Sequence, residues 1–328
     1  MLHFLIRRIF FGILVMWAVA TGVFVLYFVA PHNVARTLAG RQATAQTIGL
    51  IEHRLGLDRP LLAQYGSYLW RLLHGDLGYS YVNNESVGTI IKQDFPVTAS
   101  VAIGGAVLWL LIGVVSGVIA ATRPRSVADR TVTGFALFFY SMPTFLLGEL
   151  CLLILFYQLH LAGITFFPGS GYVPLTQDPA EWFRHLVLPW ITIALVTAAT
   201  YSRLTRGSML EVLGEDYIRT ARSKGIREQR VVYRHALRSA LTPVVTQFGI
   251  DLGTLLGGII VTETVFGLPG LGQEIYNAIS RQDLPVIIGL VLLASAFIVV
   301  ANIVVDLIYA VLDPECACPD GARCDGTY

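Results

Sequence analysis

Six stretches of this chain are apolar for longer than a soluble core needs, at approximately 9–30, 97–121, 132–159, 186–202, 241–265 and 285–312. A hydrocarbon core of about 30 Å is crossed by about 20 helical residues at about 1.5 Å each. Backbone groups in lipid find no water, so each stretch has to be helical. Composition agrees: 14% of the 328 residues are charged and 55% are hydrophobic, where soluble domains run near about 25% charged. The expected fold class is an all-α membrane protein with six transmembrane helices. The first apolar run, of 22 residues behind Arg7-Arg8, is too long for a signal peptide and ends without a small-x-small cleavage site. It is expected to stay as an uncleaved first span.

The polar segments set the orientation. With the N-terminus inside, inner segments carry 15 Lys/Arg and outer segments 8, six of those in the single segment 31–96. Long segments orient weakly, so both termini are expected in the cytoplasm. The densest inner segment runs from Arg203 to Arg238, with nine Lys/Arg against four acids. A net charge of +1 over the whole chain gives no reason to expect a nucleic-acid partner.

Outside, residues 31–96 place Leu55, Leu57, Leu61, Leu62, Tyr65, Leu69, Trp70 and Leu73 at mixed three and four spacing. That pattern predicts short amphipathic helices on the outer face, with Pro60 in a helical first turn and turns at Gly75-Asp76 and Gly78. Residues 160–185 and 266–284 read as Gly/Pro-rich outer loops. The inner basic segment contains its own short helix. Asp216 is expected as N-cap and Gly225 as the residue that ends it. Tyr217, Thr220, Ala221 and Lys224 then share one face, beside Arg219 and Arg222. Small Ala221 and Gly225 permit close approach of another protein, and the arginines offer forked donors to carboxylates. The alternative from charge alone is a solvated basic loop that only orients the spans.

At these residues the chain resembles the B-type inner-membrane permease of bacterial peptide ABC importers, the dipeptide/oligopeptide/nickel group. The resemblance covers about residues 1–313. It is carried by Gly56-Leu-Asp-Arg-Pro60 with Gln64-Tyr65, Gly75-Asp-Leu-Gly78, Pro143 in Ser-Met-Pro-Thr-Phe-Leu-Leu-Gly148, and Leu188-Pro189. Asp216 to Gly225, His235-Ala-Leu-Arg238 with Pro243, Gly257-Gly258 to Glu263 and Phe266 to Gly272 continue it. The general ABC-permease loop, Glu-Ala-Ala-x3-Gly-x9-Ile-x-Leu-Pro, is half kept. Ala221, Gly225 and Leu237 match it, while Arg219, Thr220, His235 and Arg238 depart from it in the manner of the peptide subgroup.

The resemblance implies a type I ABC importer permease fold, with the first span within 1–30 and an extracytoplasmic segment 31–96. It also implies a five-helix core over 97–312 with a coupling loop at 203–240, followed by a cytoplasmic tail 313–328. It implies a bacterial inner-membrane location, a homologous second permease, two ATPase subunits or domains, and an extracytoplasmic peptide-binding protein. Asp216, Tyr217, Arg219, Thr220, Ala221, Arg222, Lys224 and Gly225 would form the ATPase-coupling helix. The cargo implied is a short peptide, with nickel chelate, glutathione or haem as alternatives in the same family.

The chain itself holds no ATP site. Its two lysines, Lys92 and Lys224, lie outside any Gly-x4-Gly-Lys-Ser/Thr arrangement. It is read as a transport subunit and not an enzyme, with no cofactor of its own; ATP and magnesium belong to partner subunits. Ionisable groups in spans cost energy and mark function by default. Glu149, Asp251 and Glu263 are candidates for a polar translocation path, able to meet a peptide's ammonium; Asp306 lies nearer a span end. Interhelical or capping hydrogen bonds are the alternative for all four. Gly249, Gly253 and Gly257 recur on one helical face, a small-x3-small seam that would pack against the second permease or within the chain.

No metal site is expected. His160 and His185 flank one loop without further ligands. Cys316, Cys318 and Cys324 offer soft thiolates in the tail, beyond the resemblance. Cys151 reads as a small buried hydrophobe. A proton-coupled secondary transporter is the competing class; no internal inverted repeat supports it. An intramembrane enzyme lacks a nucleophile set.

Overall fold

The computed structural model describes residues 2–26, 46, 60–80 and 82–312, with side chains described from Ile6 on except at 253, 254, 256–258 and 305–312. In chain order come α1 (Leu2–Phe24), α2 (Leu61–Leu73), and an antiparallel hairpin of β1 (Tyr79–Ser80) and β2 (Glu85–Ser86). Then follow α3 (Val87–Thr122), α4 (Val127–Tyr140), and α5 (Thr144–Cys151), which runs on through a π-helical segment, Leu152–Gln158, to Leu161. Next are α6 (Pro179–Leu213) and α7 (Asp216–Ser223), then helical turns over Glu228–Arg230, Val231–Ala236 and Leu237–Ala240. The chain closes with α8 (Thr242–Phe266), α9 (Leu271–Arg281) and α10 (Leu284–Leu312).

Five helices are long and apolar enough on their described residues to cross a membrane: Ile6–Phe24, Val87–Thr122, Thr144–Leu161, Pro179–Leu213 and Leu284–Val304. α8, with 25 residues, reaches about 38 Å at about 1.5 Å per residue and stands where the fifth apolar stretch was expected.

Two expected spans need correction. The stretch 132–159 is not one helix. It breaks at Ser141-Met142, because Pro143 pushes the residue before it out of the helical region and cannot donate to the turn behind. Pro143 then sits extended, at φ −60° and ψ 136°, ahead of α5. The stretch 186–202 is far too short. Its helix begins seven residues earlier because Asp178 caps it, accepting from the backbone N–H of Ala180 (2.9 Å) and Glu181 (3.2 Å), with Pro179 at the first helical position. It continues past Arg203 and Arg206 to Leu213.

The outer segments hold more structure than expected. α2 is the predicted amphipathic helix, but Pro60 precedes its first turn instead of lying in it. Leu55, Leu57 and residues 31–45 lie outside the described residues. The turns at Gly75 (φ 76°) and Gly78 (φ 100°) are present, and Asp76 Oδ1 accepts from Gly78 N–H at 3.0 Å. α9 was expected as loop, and the β1–β2 hairpin forms within 31–96, where only short helices and turns were expected.

Compact packing divides the chain into two units, one of Met1–Ile90 with Ala278–Tyr328 and one of Ile91–Asn277. In the first, α1 packs along α10 and α2 covers their end, with Ala20, Phe24, Tyr68, Ile288 and Leu292 buried together. Thr21 Oγ1 and Tyr65 Oη share a 2.7 Å hydrogen bond there. In the second, α6 is the central rod, with α4, α5 and α8 packed on it. Its core gathers Trp109, Leu186, Leu188, Tyr201 and Ile259. α3 approaches α6 closely because Gly113 and Gly117 carry no side chain: a Cβ on Gly113 would lie 2.4 Å from Tyr201 Cβ, and one on Gly117 2.6 Å from Thr205 Cβ. Ser116 Oγ donates across this seam to Ser202 Oγ at 2.9 Å. This is the small-residue seam the described packing shows. Gly249 is buried in α8, while the packing of Gly253 and Gly257 lies outside the described residues.

Candidate functional site

The basic segment after α6 folds over a small apolar core of its own. Val118 and Ala121 of α3, Met209 of α6, Ile218 and Ala221 of α7, and Val231 of the following turn meet there. Ile218 is wholly buried and Ala221 nearly so. At i and i+3 they form the one apolar stripe of an otherwise polar helix, and this stripe holds α7 in place. The hand-over from α6 is short: Gly214 caps α6, and Glu215, extended at φ −68° and ψ 150°, leads into α7.

Two expectations for α7 change accordingly, and a third holds. Asp216 is not the N-cap. It lies inside the first turn, where its charge still suits the positive end of the helix, and Glu215 occupies the cap position without a side-chain bond. Ala221 does not lie on an outward face; its methyl packs inward beside Ile218. Gly225 does end the helix, at φ 74°, a conformation open to glycine.

The outward face consists of Tyr217, Thr220, Ser223 and Lys224, with Arg219 beside them. Tyr217 Oη donates to Ser239 Oγ at 3.1 Å, tying α7 to the returning segment. Thr220 Oγ1 bonds the Asp216 carbonyl at 2.9 Å. Arg219 pairs with Asp216 at 3.2 Å on the open surface. Arg222 forks onto Glu228, Nη2 to Oε1 at 2.7 Å and Nε to Oε2 at 3.2 Å. That guanidinium holds the Glu228 carboxyl below its ordinary range, and the carboxylate in turn raises Arg222. Arg222 thus braces the loop internally, whereas Arg219 stays 70% exposed.

A second bracing pair ties this region to α4. Arg206 of α6 donates to Asp129 from Nε (2.6 Å) and Nη2 (2.9 Å), and Arg125 N–H donates to the same carboxylate at 2.9 Å. The Arg206 bond is the main reason that the Asp129 pKa falls to about 2.

The three expected path acids part company. Glu263 is fully buried and accepts from Thr98 Oγ1 (2.7 Å), Gly272 N–H (2.8 Å) and Gln273 N–H (3.1 Å). It caps the start of α9 inside the fold, which removes it from the path candidates. A Cβ on Gly270 would meet its carboxylate at 2.2 Å. Glu149 lies exposed on α5. Asp251 of α8 accepts from Tyr201 Oη (2.7 Å) and Gln247 Nε2 (3.0 Å). It borders a cavity of about 150 Å³ between α3, α5, α6 and α8, which Trp109, Thr144 and Thr197 also line. The Asp306 side chain and Cys316, Cys318 and Cys324 lie outside the described residues. Among the described residues no group of three or more His, Cys, Asp or Glu is placed to hold a metal ion.

Sequence reasoning passed over Ile218, Trp109, Tyr201 and the Asp129–Arg206 pair. Ile218 had a visible signal, a lone large apolar residue three positions before Ala221. The others become neighbours only through α3–α6, α4–α6 and α6–α8 packing.

Comparison with known proteins places the chain in context. Residues 113–316 match the family described as binding-protein-dependent transport system inner membrane component. Residues 1–102 match the N-terminal part of such membrane components. A putative peptide transport system permease protein of Brucella abortus is 39% identical over 311 residues, covering 95% of this chain and 98% of that protein. A probable peptide ABC transporter permease protein of Sinorhizobium fredii is 37% identical over 312 residues, covering 95% and 98%. The dipeptide transport system permease protein DppB of Escherichia coli K12 is 37% identical over 339 residues, covering 96% and 98%.

Proposed function

This chain belongs to the family of inner-membrane components of binding-protein-dependent transport systems, and from that premise we propose that it forms half of a path for short peptides, driven by ATPase subunits docked on α7. It is a multi-pass membrane protein and a permease subunit of an ABC importer, with the type I permease fold. The cargo follows the relatives, whose names specify peptide and dipeptide transport.

The observation that carries the coupling reading is the two-sidedness of α7. Ile218 and Ala221 anchor it to the chain's own core, so a push on its outer face reaches Met209 and Val118, and with them α6 and α3. The outer face is small and polar, able to slide into a groove. A homologous second permease, two ATPase subunits carrying ATP and magnesium, and an extracytoplasmic binding protein complete the assembly. Both termini lie in the cytoplasm on this reading. Exposed Glu149 supports a shared path, since a carboxylate facing lipid is costly and one facing a second permease or water is not.

The test is mild-detergent purification of the chain from its native host, identification of the subunits retained, and dipeptide uptake by the reconstituted complex. Uptake that requires ATP and the binding protein supports the reading. Uptake that survives ATPase removal and collapses with an uncoupler would replace it by proton-coupled transport.

A further inference from the structure

Resting on the peptide-permease reading, we propose that the cavity between α3, α5, α6 and α8 is a subsite for the N-terminal residue of a peptide. Asp251 takes the α-ammonium, and the Trp109 indole N–H takes the first carbonyl.

The walls come from four helices of one unit, and Asp251, Trp109, Thr144 and Thr197 are among the residues that line the space between them. Asp251 is held in one orientation by two neutral donors, Tyr201 Oη at 2.7 Å and Gln247 Nε2 at 3.0 Å. Tyr201 is itself wholly buried, so its hydroxyl is a fixed support. A carboxylate offers about four acceptor positions, and an ammonium carries three donors. Trp109 is 2% exposed, and its Nε1 lies beside the Tyr201 hydroxyl without making a hydrogen bond of ordinary geometry. An indole N–H can only donate, so what completes it is an acceptor. Thr144 and Thr197 add hydroxyls that serve either way.

A fixed anion and a buried donor lining one cavity suit a ligand that brings a cation and a carbonyl together. The remaining wall, including Ile193 and Leu255, is apolar and suits a small side chain. A volume of about 150 Å³ is that of a cavity able to hold one benzene molecule. It takes the terminal residue and leaves the rest of the peptide in the path. Such a subsite reads the free N-terminus and is indifferent to most of the sequence beyond it.

The probe is tritiated alanyl-alanine, bound to the purified complex of permeases and ATPases without the binding protein. Unlabelled alanyl-alanine and N-acetyl-alanyl-alanine compete. On the wild-type complex the acetylated peptide is expected to compete at least about tenfold more weakly. Asp251→Asn should weaken alanyl-alanine by a similar factor and erase the difference between the two competitors. Trp109→Phe should weaken both about equally and keep their ratio. Equal competition on the wild type overturns the proposal, as does an assembled Asp251→Asn complex that still discriminates. If Asp251→Asn fails to assemble, Trp109→Phe decides: unchanged binding of both peptides overturns the subsite. Uptake by the wild-type complex with its binding protein, on the same preparation, separates the two levels. Uptake with equal competition removes only the subsite; no peptide uptake removes the transport reading as well.

Discussion

Arg206 on α6 grips Asp129 at the start of α4 through two hydrogen bonds, Nε to Oδ1 at 2.6 Å and Nη2 to Oδ2 at 2.9 Å. The pair is formed 77 residues apart and fixes the entry of α4 against α6, the helix that leads to α7. Its charge-assisted fork is the strong kind of hydrogen bond, and Asp129 is 5% exposed.

Asp129→Asn should therefore lower the Tm of the purified complex, by more than loss of the exposed Arg222–Glu228 pair does. The Asp129 pKa is depressed from 3.8 to about 2. A depressed carboxyl stabilises the fold fully above its unfolded pKa and loses that contribution as pH falls through the folded one. The Tm deficit of the variant should thus be the same at about pH 5.5 and about pH 8 and shrink only in strong acid. Thermal melts at the two pH values check this; a deficit that grows between them would contradict it.

Glu263→Ala should be among the most damaging single changes in the chain. It strands the buried Thr98 hydroxyl and the Gly272 and Gln273 N–H groups. Unsatisfied buried groups cost about 1–3 kcal/mol each, so a loss of at least about 3 kcal/mol is expected in denaturant unfolding. Glu263→Gln, which keeps one acceptor oxygen, should lose less. Gly270→Ala should also destabilise, because its methyl would enter the Glu263 carboxylate.

Ile218→Ala should loosen α7 without touching its outer face. Burial of such a side chain is worth about 2–5 kcal/mol on removal. The expected result is ATPase subunits that still co-purify but hydrolyse ATP with little response to the binding protein. Hydrogen exchange across residues 216–223 should rise in the variant, and no rise there would contradict the anchoring role.

Glu228→Gln should do little by comparison. The Arg222–Glu228 pair is more than a third exposed on both sides, and surface pairs contribute about 0–1 kcal/mol, less in salt. A Tm shift as large as that of Asp129→Asn would show that the loop brace carries more than its exposure allows.

Much of this architecture was legible in the sequence because the membrane imposes it. Apolar length alone located α1, α3, α8 and α10. It misjudged α6, since Arg203 and Arg206 end an apolar run without ending a helix, and the Asp178 cap starts the helix before the apolar run begins. It missed the break at Pro143, where a proline's geometry overrides a continuous apolar pattern. α9 was hidden because its N-terminus is capped by Glu263 from another helix, a partner no local pattern announces. α7 was found by its charge and by Gly225. Its facing was not, since small residues suggest close approach without saying to which side, and Ile218 decides it. The cavity beside Asp251 needed the packing of four helices.

The most direct measurement is co-purification of the ATPase subunits with this chain when the outer face of α7 is blocked by Thr220→Trp. Thr220 is exposed and lies outside the apolar core beneath α7, so the fold and Tm should be unchanged. The coupling account predicts that the ATPase subunits are lost or reduced to a small fraction and that peptide uptake falls with them. Full retention of ATPase subunits with normal uptake in the Thr220→Trp complex would contradict it.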